Sequence, residues 1–166
     1  MKGTLVAFGK LKTPGVRETV DYYLRNLKPW WPIEEVELKH TSRDVQSSAD
    51  RLLVQREEAE TFRKLIQSKK SAGRTRLILL DETGRGFGTL EWAKKFETYR
   101  SDGTTSLFIG VGSAYGWHAD LKREADVLWS FGRETLSHEI ARSVLAEQLY
   151  RIYAVLNRHP YHNEGE

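Results

Sequence analysis

The sequence contains no cysteine and no long apolar run. With no cysteine among 166 residues, disulfides and thiolate metal sites are excluded. No uninterrupted apolar stretch approaches the roughly 20 residues that a membrane-spanning helix needs. The apolar stretch at residues 5–8 is too short for the core of a signal peptide. We therefore expect a cytoplasmic chain that forms one domain over residues 1–166, with neither a membrane nor a metal as partner.

Several common site motifs are also missing. The glycine-rich run at residues 110–116 lacks the G-x-G-x-x-G spacing of a dinucleotide site, and no Gly-Lys-Ser/Thr occurs to form a P-loop. No G-x-S-x-G is present, as a serine hydrolase of the nucleophile-elbow type requires. His159 and His162 flank Pro160, so they do not share a helical face as the H-E-x-x-H zinc ligands do. The sequence gives no support to these classes of enzyme.

Charge and composition leave the partner open. The formal net charge is +3, with 39% hydrophobic and 30% charged residues. This balance is that of an ordinary globular protein. A mild basic excess permits a polyanionic partner such as nucleic acid, but it does not require one.

Short apolar runs alternate with longer segments of helical periodicity. We predict strands at residues 5–8, 33–40, 77–80, 107–109 and 127–131, and helices at residues 14–28, 44–71, 90–99, 119–125 and 137–156. The run at residues 77–80 is wholly apolar, which is typical of a parallel strand covered on both faces. The alternation predicts an α/β fold in which helices flank a parallel sheet.

Three glycine-containing loops leave the ends of predicted strands, at residues 81–88, 110–116 and 132–137. Ligands of parallel α/β sheets bind at the carboxyl ends of the strands, so these loops are the candidate site. Asp81, at the start of the first loop, is interpreted as capping the turn that follows it.

The tryptophans form two groups with different predicted roles. Trp92, Trp117 and Trp129 are predicted to be core or interface residues, whereas Trp30 and Trp31 form either an RNA-contact patch or a lid on the core.

The C-terminal third carries the most specific pattern. It contains Glu147-Gln148-Leu149-Tyr150-Arg151, followed by His159-Pro160-Tyr161-His162, and it is preceded by Thr135-Leu136-Ser137-His138-Glu139-Ile140-Ala141-Arg142. Earlier in the chain stand Leu5-Val6-Ala7-Phe8-Gly9-Lys10 and Leu79-Leu80-Asp81-Glu82-Thr83-Gly84-Arg85. In this order, from residue 5 to residue 162, the segments resemble the ribosomal RNA large subunit methyltransferase H family.

The resemblance implies a SPOUT-type fold with a trefoil knot near the C-terminus, a feature that periodicity cannot reveal. It implies methyl transfer from S-adenosylmethionine to N3 of a pseudouridine in 23S rRNA of the assembled ribosome. It also implies a homodimer in which each active site borrows the partner's C-terminal tail.

The resemblance assigns site residues to three groups. The cofactor-binding positions are Leu80, Gly112, Gly132, Arg133, Glu134, Thr135, Leu136 and Ser137. The catalytic candidates are Arg142, Tyr161 and His162, with His162 removing or orienting the N3 proton because histidine is the usual general base near neutral pH. The RNA-binding candidates are His138, Tyr150, Arg151 and Arg158. Arg142 and Arg151 are the residues that would neutralise phosphates.

Three positions depart from the family pattern. Ser113 replaces a glycine of the second loop, Glu134 replaces an apolar residue, and Ser137 replaces a proline. Two other functions therefore remain open, a SPOUT methyltransferase with a different RNA target and a non-catalytic ribosome-binding or assembly factor.

Overall fold

A single parallel sheet organises the chain. The computed structural model describes residues 1–162; residues 163–166, which the predicted domain includes, lie outside the described part. The strands are Lys2–Phe8 (β1), Ile33–Leu38 (β2), Arg74–Arg85 (β3), Thr104–Val111 (β4) and Val127–Trp129 (β5). They pair in the order β2-β1-β4-β3-β5, and every pair is parallel. The predicted α/β class is confirmed, and the trefoil knot stays a prediction.

Helices cover both faces of this sheet. They are Val16–Leu27 (α1), Ser48–Lys69 (α2), Thr89–Ser101 (α3), Ala119–Glu124 (α4) and His138–Leu156 (α5). α5 packs between α1 and α3 on one face. Residues of α2 and α4 join a second apolar cluster. The fold therefore has three layers, as expected when a parallel sheet is buried on both sides.

β1 shows how the two clusters divide the strand residues. Leu5 and Ala7 belong to the cluster with α5, whereas Val6 and Phe8 belong to the cluster with α2. Successive side chains of a strand point to opposite faces, and all four are buried. This double burial explains why the strand predicted at residues 5–8 is a continuous apolar run without polar alternation.

The tryptophans are core residues for the most part. Trp92, Trp117 and Trp129 are buried, which confirms the prediction for all three. Trp31 is buried as well and stacks on Tyr153 with ring centroids 5.1 Å apart. Of the two alternatives left open for this position, the structure supports the lid on the core.

β3 is longer than predicted because it contains a wide irregularity. Leu80 and Arg85 both pair with Trp129 of β5, so the four residues between them leave the ladder. Bulges of this kind re-aim side chains near functional sites. Here the bulge turns residues 81–84 towards the carboxyl end of the sheet.

α2 begins four residues later than predicted. The Ser47 side chain accepts a hydrogen bond from the Asp50 N–H at 3.1 Å, and the Asp50 carboxylate accepts one from the Ser47 N–H at 3.0 Å. This reciprocal capping box satisfies two otherwise unpaired backbone donors and fixes the first turn.

Gly110, in the middle of the sheet, leaves room for Trp117. A Cβ at this position would lie 2.8 Å from Leu79 Cδ2 and 2.9 Å from the Trp117 ring. We expect Gly110→Ala to lower the free energy of unfolding by about 1–3 kcal/mol, because the packed core must shift to admit the methyl group. Urea denaturation measures this loss. Gly86→Ala is the matched control, since its nearest atom would be 3.9 Å away; equal losses in both variants would contradict the explanation.

Candidate functional site

A cavity of about 530 Å³ opens at the carboxyl edge of the sheet. Its size is within the range of small-ligand sites, roughly 300–1,000 Å³. The three loops predicted from the sequence contribute to its wall. Seven of the eight predicted cofactor positions line it: Leu80, Gly112, Gly132, Glu134, Thr135, Leu136 and Ser137. Arg133 is exposed and is not part of the wall.

The β3 bulge supplies the polar floor of the cavity. Asp81 Oδ1 accepts a hydrogen bond from the Thr83 N–H at 2.9 Å, and Lys122 lies 2.7 Å from its other oxygen. Burial alone would raise the pKa of Asp81, but the hydrogen bonds from Lys122 and Thr83 outweigh burial and hold that pKa below its usual value. The interpretation of Asp81 as a turn cap is confirmed, and its charge is already neutralised by Lys122.

Trp117 supports the second loop from below. Its indole N–H donates to the Leu80 carbonyl at 2.8 Å, and its ring lies 3.2 Å from where a Cβ of Gly112 would be. The glycine at position 112 therefore lets the backbone run against the indole. This contact joins the first and second loops into one rigid wall.

The third loop is held at both ends by serines. Ser130 Oγ accepts from the Gly132 N–H at 3.1 Å and donates to the Gly132 carbonyl at 2.6 Å. Gly132 has a φ of 155°, a conformation that favours glycine. Ser137, in place of the family's proline, accepts from the Ile140 N–H at 3.3 Å and caps α5. The departure at Ser137 thus preserves the start of the helix.

His138 begins α5 and lines the cavity, close to His40. Burial lowers its pKa, and the positive charge of His40 lowers it further. The neutral imidazole, which has one donor and one acceptor nitrogen, is therefore the favoured form at pH 7.

This shift predicts a pH dependence of stability. The folded state binds the proton of His138 less readily than the unfolded state, whose histidine pKa is about 6.5. Above about pH 6.5, His138 is neutral in both states and does not lower the free energy of unfolding. As the pH falls below about 6.5 towards the lower pKa of the folded state, the unfolded state binds the proton first, and the free energy of unfolding decreases. We expect His138→Asn to flatten the decline of the unfolding free energy as the pH falls below about 6.5. Urea denaturation over this range, with His159→Asn as control, tests it; identical slopes would contradict it.

Arg142 is a buried anchor, in contrast to the open position expected of a residue that contacts RNA phosphates. Its side chain is 1% exposed. Its Nε donates to Glu35 at 2.6 Å, its Nη2 to Glu37 at 2.6 Å, and its Nη1 to the Gly9 carbonyl at 3.4 Å. Because β2 and the loop after β1 hold every nitrogen, this guanidinium is not available to phosphate in the described structure.

The C-terminal tail folds back along α5. The Tyr161 hydroxyl lies 3.1 Å from a Glu147 oxygen, and its ring packs on Tyr150 with centroids 4.6 Å apart. Arg151 donates to Glu147 at 2.6 Å and lies over the Tyr161 ring. Burial, with the nearby Tyr23 and Glu147, raises the pKa of Tyr161. Tyr161 is therefore neutral and is able to donate its proton in a hydrogen bond.

His162 and Arg158 complete the tail. His162 Nδ1 is buried and has no hydrogen-bond partner. Arg158 is exposed and adopts a φ of 53° at the turn after α5. Of the four predicted RNA-binding residues, Arg158 is open to solvent, His138 is at the cavity, Arg151 is half-buried in an ion pair, and Tyr150 is buried.

The structure separates the two halves of the predicted site. Neither Tyr161 nor His162 lines the cavity. Glu147, which the Tyr161 hydroxyl contacts, stands nine residues beyond His138, or about 13 Å along α5 at 1.5 Å per residue. Within one chain, the tail and the cavity do not meet.

The cavity also includes residues that the sequence did not reveal. Arg51 and Gln55 of α2 form part of its wall. Four residues apart, they share a helix face, but so do many polar pairs of a long charged helix, and no signal singles them out. Glu82 and Thr83 belong to the predicted loop at residues 81–88, but no pattern in the sequence indicates the β3 bulge that holds them.

Among residues 1–162, no helix is long and apolar enough to cross a membrane. In the same part of the chain, no group of three or more acidic or histidine side chains is placed to hold a metal ion.

Comparisons with known proteins point to one family. The model of the family described as predicted SPOUT methyltransferase matches residues 1–162. A protein of Methylobacillus flagellatus named ribosomal RNA large subunit methyltransferase H is 34% identical over 164 residues, which cover 99% of this chain and 100% of that protein. Proteins of the same name from Koribacter versatilis and Bartonella tribocorum are 34% and 33% identical, each over 98% of this chain and 98% and 99% of their own length.

Proposed function

The chain belongs to the SPOUT methyltransferase family, and we propose that it transfers a methyl group from S-adenosylmethionine to N3 of a pseudouridine in 23S rRNA. Its curated relatives are named as methyltransferases of large-subunit ribosomal RNA. The observation that carries the proposal is the cavity, because seven residues that the resemblance assigns to the cofactor lie together in its wall. We further propose that residues 1–166 act as one domain, in the cytoplasm, on the assembled ribosome.

The cavity fits an adenosyl ligand with a charged tail. Apolar walls from Leu80, Val111 and Leu136 suit a flat base, and loop backbone groups offer donors and acceptors for its edge. When bound, S-adenosylmethionine supplies an activated methyl group on a sulfonium. The Glu82 and Glu134 carboxylates stand at the same cavity and favour a cationic ligand there.

Methyl transfer to N3 releases the proton of that nitrogen, so the site needs an acceptor. His162 is the candidate for this role, because an imidazole accepts a proton and its Nδ1 makes no hydrogen bond within the described chain. Tyr161, held neutral, would hydrogen-bond or stack on the extruded base. Arg158, exposed just after the end of α5, would contact phosphate.

A homodimer would bring the two halves together. The cavity of one chain lacks the tail residues, and the tail of the same chain lies elsewhere along α5. Leu136 and Ile140, at the cavity and on the first turn of α5, are 39% and 43% exposed, which leaves apolar surface for a second chain. We propose that the partner's tail closes each cavity.

Calorimetric titration with S-adenosylmethionine and with S-adenosylhomocysteine tests the donor site, followed by methyl incorporation into ribosomes that lack the modification. We expect micromolar binding of both and one methyl group on a pseudouridine N3. Binding without ribosome labelling, but with labelling of other RNA, would replace the target. No binding together with salt-sensitive association with ribosomal subunits would identify a non-catalytic factor.

A further inference from the structure

One face of α2 fastens the loop between β4 and α4. Arg51 Nε and Gln55 Nε2 both donate to the Tyr115 carbonyl, at 3.0 and 2.7 Å. One turn further along, Glu58 Oε2 accepts a hydrogen bond from Ser113 Oγ at 2.7 Å. Residues 51, 55 and 58 follow helical spacing, so all three project from the same side of α2. Residues 113–115 are thus hydrogen-bonded to a helix that lies at least 55 residues earlier in the chain.

Glu58 is the unusual member of this set. Its side chain is 3% exposed, and its Oε1 has no hydrogen-bond partner. The nearest basic group on Oε1 is His40 Nδ1, at 3.8 Å. Burial raises the pKa of this carboxyl group. A buried carboxylate with an unpaired oxygen costs free energy, so stability alone does not account for a glutamate at this position.

Ser113 links Glu58 to the backbone of the loop. Its hydroxyl donates to Glu58 and, with a lone pair, accepts from the Tyr115 N–H at 3.3 Å. Its carbonyl accepts from the Gly116 N–H at 3.0 Å. A hydroxyl proton rotates to the best acceptor available. Because Glu58 takes that proton, the lone pair of Ser113 stays directed at Tyr115, which fixes the turn.

We propose that Glu58 is a positioning residue for the methyl-donor loop, acting through Ser113 to hold residues 112–116 in the shape that admits the donor. Ser113 lines the cavity, whereas Glu58 is buried behind it and is not part of the wall. Ser113 is one of the three departures from the family pattern, and a glycine there would have no hydroxyl for this link. The identity of the ligand rests on the proposed function; the restraint on the loop does not.

The test compares Glu58→Met, Glu58→Gln and Ser113→Ala in the full-length protein. Calorimetry measures the affinity for S-adenosylhomocysteine, and hydrogen exchange of the ligand-free protein measures protection of the Tyr115 and Gly116 amides. We expect Glu58→Met and Ser113→Ala each to weaken binding about tenfold and to speed exchange in the loop. The double variant is expected to be no weaker than either single one, because both changes break the same link.

Two of these variants separate positioning from a structural role. Glu58→Gln keeps an acceptor for Ser113 and is expected to recover part of the affinity. Glu58→Met is expected to unfold at no lower urea concentration than wild type, since it removes a buried charge. Glu57→Gln is the matched control, because the Glu57 carboxylate is next to Glu58 in sequence but faces solvent and pairs with Arg43.

Unchanged affinity in Glu58→Met and Ser113→Ala would overturn the proposal. So would faster exchange over the whole sheet with a matching loss of stability, which would make Glu58 a core residue only. If wild type binds no S-adenosylhomocysteine, the proposed function fails separately. In that case, hydrogen exchange by itself tests whether Glu58 and Ser113 hold the loop. Faster exchange confined to residues 112–116 in the variants supports the proposal, and unchanged exchange overturns it.

Discussion

Replacing Arg142 with methionine is expected to lower the free energy of unfolding by about 3–5 kcal/mol, the usual cost of removing one partner of a buried ion pair. The change leaves Glu35 and Glu37 facing a site from which the cation has gone. Arg17 contacts both carboxylates, at 2.9 and 3.6 Å, but it is one-third exposed and cannot fill the space of the lost guanidinium. The Gly9 carbonyl also loses a donor.

Urea denaturation at pH 7 measures this effect. Arg151→Met is the matched control on the same helix, because its single pair with Glu147 is partly solvated and should cost at most about 1 kcal/mol. Arg142→Lys should lie between, since lysine keeps the charge but lacks the planar fork. Adding Glu35→Gln and Glu37→Gln to Arg142→Met should restore part of the loss. Equal effects for the Arg142 and Arg151 variants would refute the anchoring role.

Two variants that are each inactive in methyl transfer, His162→Ala and Gly132→Val, are expected to regain activity when mixed. His162→Ala removes the proposed proton acceptor and should reduce the rate by about 100-fold or more. Gly132→Val forces a branched side chain into a conformation with φ of 155° and should distort the third loop. In a mixed dimer, one cavity has an intact loop and receives an intact tail from the other chain.

The expected recovery follows from counting sites. With equal amounts and free exchange, about half of the dimers are mixed and each has one intact site of two, which gives about a quarter of wild-type activity. Methyl incorporation into unmodified ribosomes after co-refolding provides the measurement. The double variant His162→Ala/Gly132→Val mixed with wild type serves as control for exchange. If the mixture stays inactive while exchange is complete, the two halves do not act across a dimer.

Much of the layered fold could be predicted from local patterns of apolar residues. The apolar runs at residues 77–80 and 107–109 predicted buried parallel strands. Strand order carries no such local mark, because β1 and β4 pair across about a hundred residues. Nor does a strand pattern disclose that the ladder opens between Leu80 and Arg85.

The candidate site was only partly accessible from the sequence. Glycine loops after strands marked its place, and the family resemblance selected the residues of the third loop. The resemblance also grouped Arg142 with substrate contacts, whereas the structure buries its guanidinium among carboxylates. Whether an arginine meets phosphate or carboxylate depends on which acids the fold brings near it. Glu35 and Glu37 are more than a hundred residues away in sequence, so no local pattern announces them.

The hydrogen bonds between the segment after β1 and α5 have a consequence for how the protein folds during synthesis. The backbone N–H groups of Lys12 and Thr13 donate to Glu139 at 2.9 and 2.8 Å, across 127 and 126 residues. During synthesis, the segment after β1 emerges early but has no acceptor until almost the whole chain has been translated. Contacts over such separations are formed late because loop closure must be paid for first. These two hydrogen bonds are therefore completed late in synthesis, and a nascent chain that lacks α5 cannot yet fix the segment after β1.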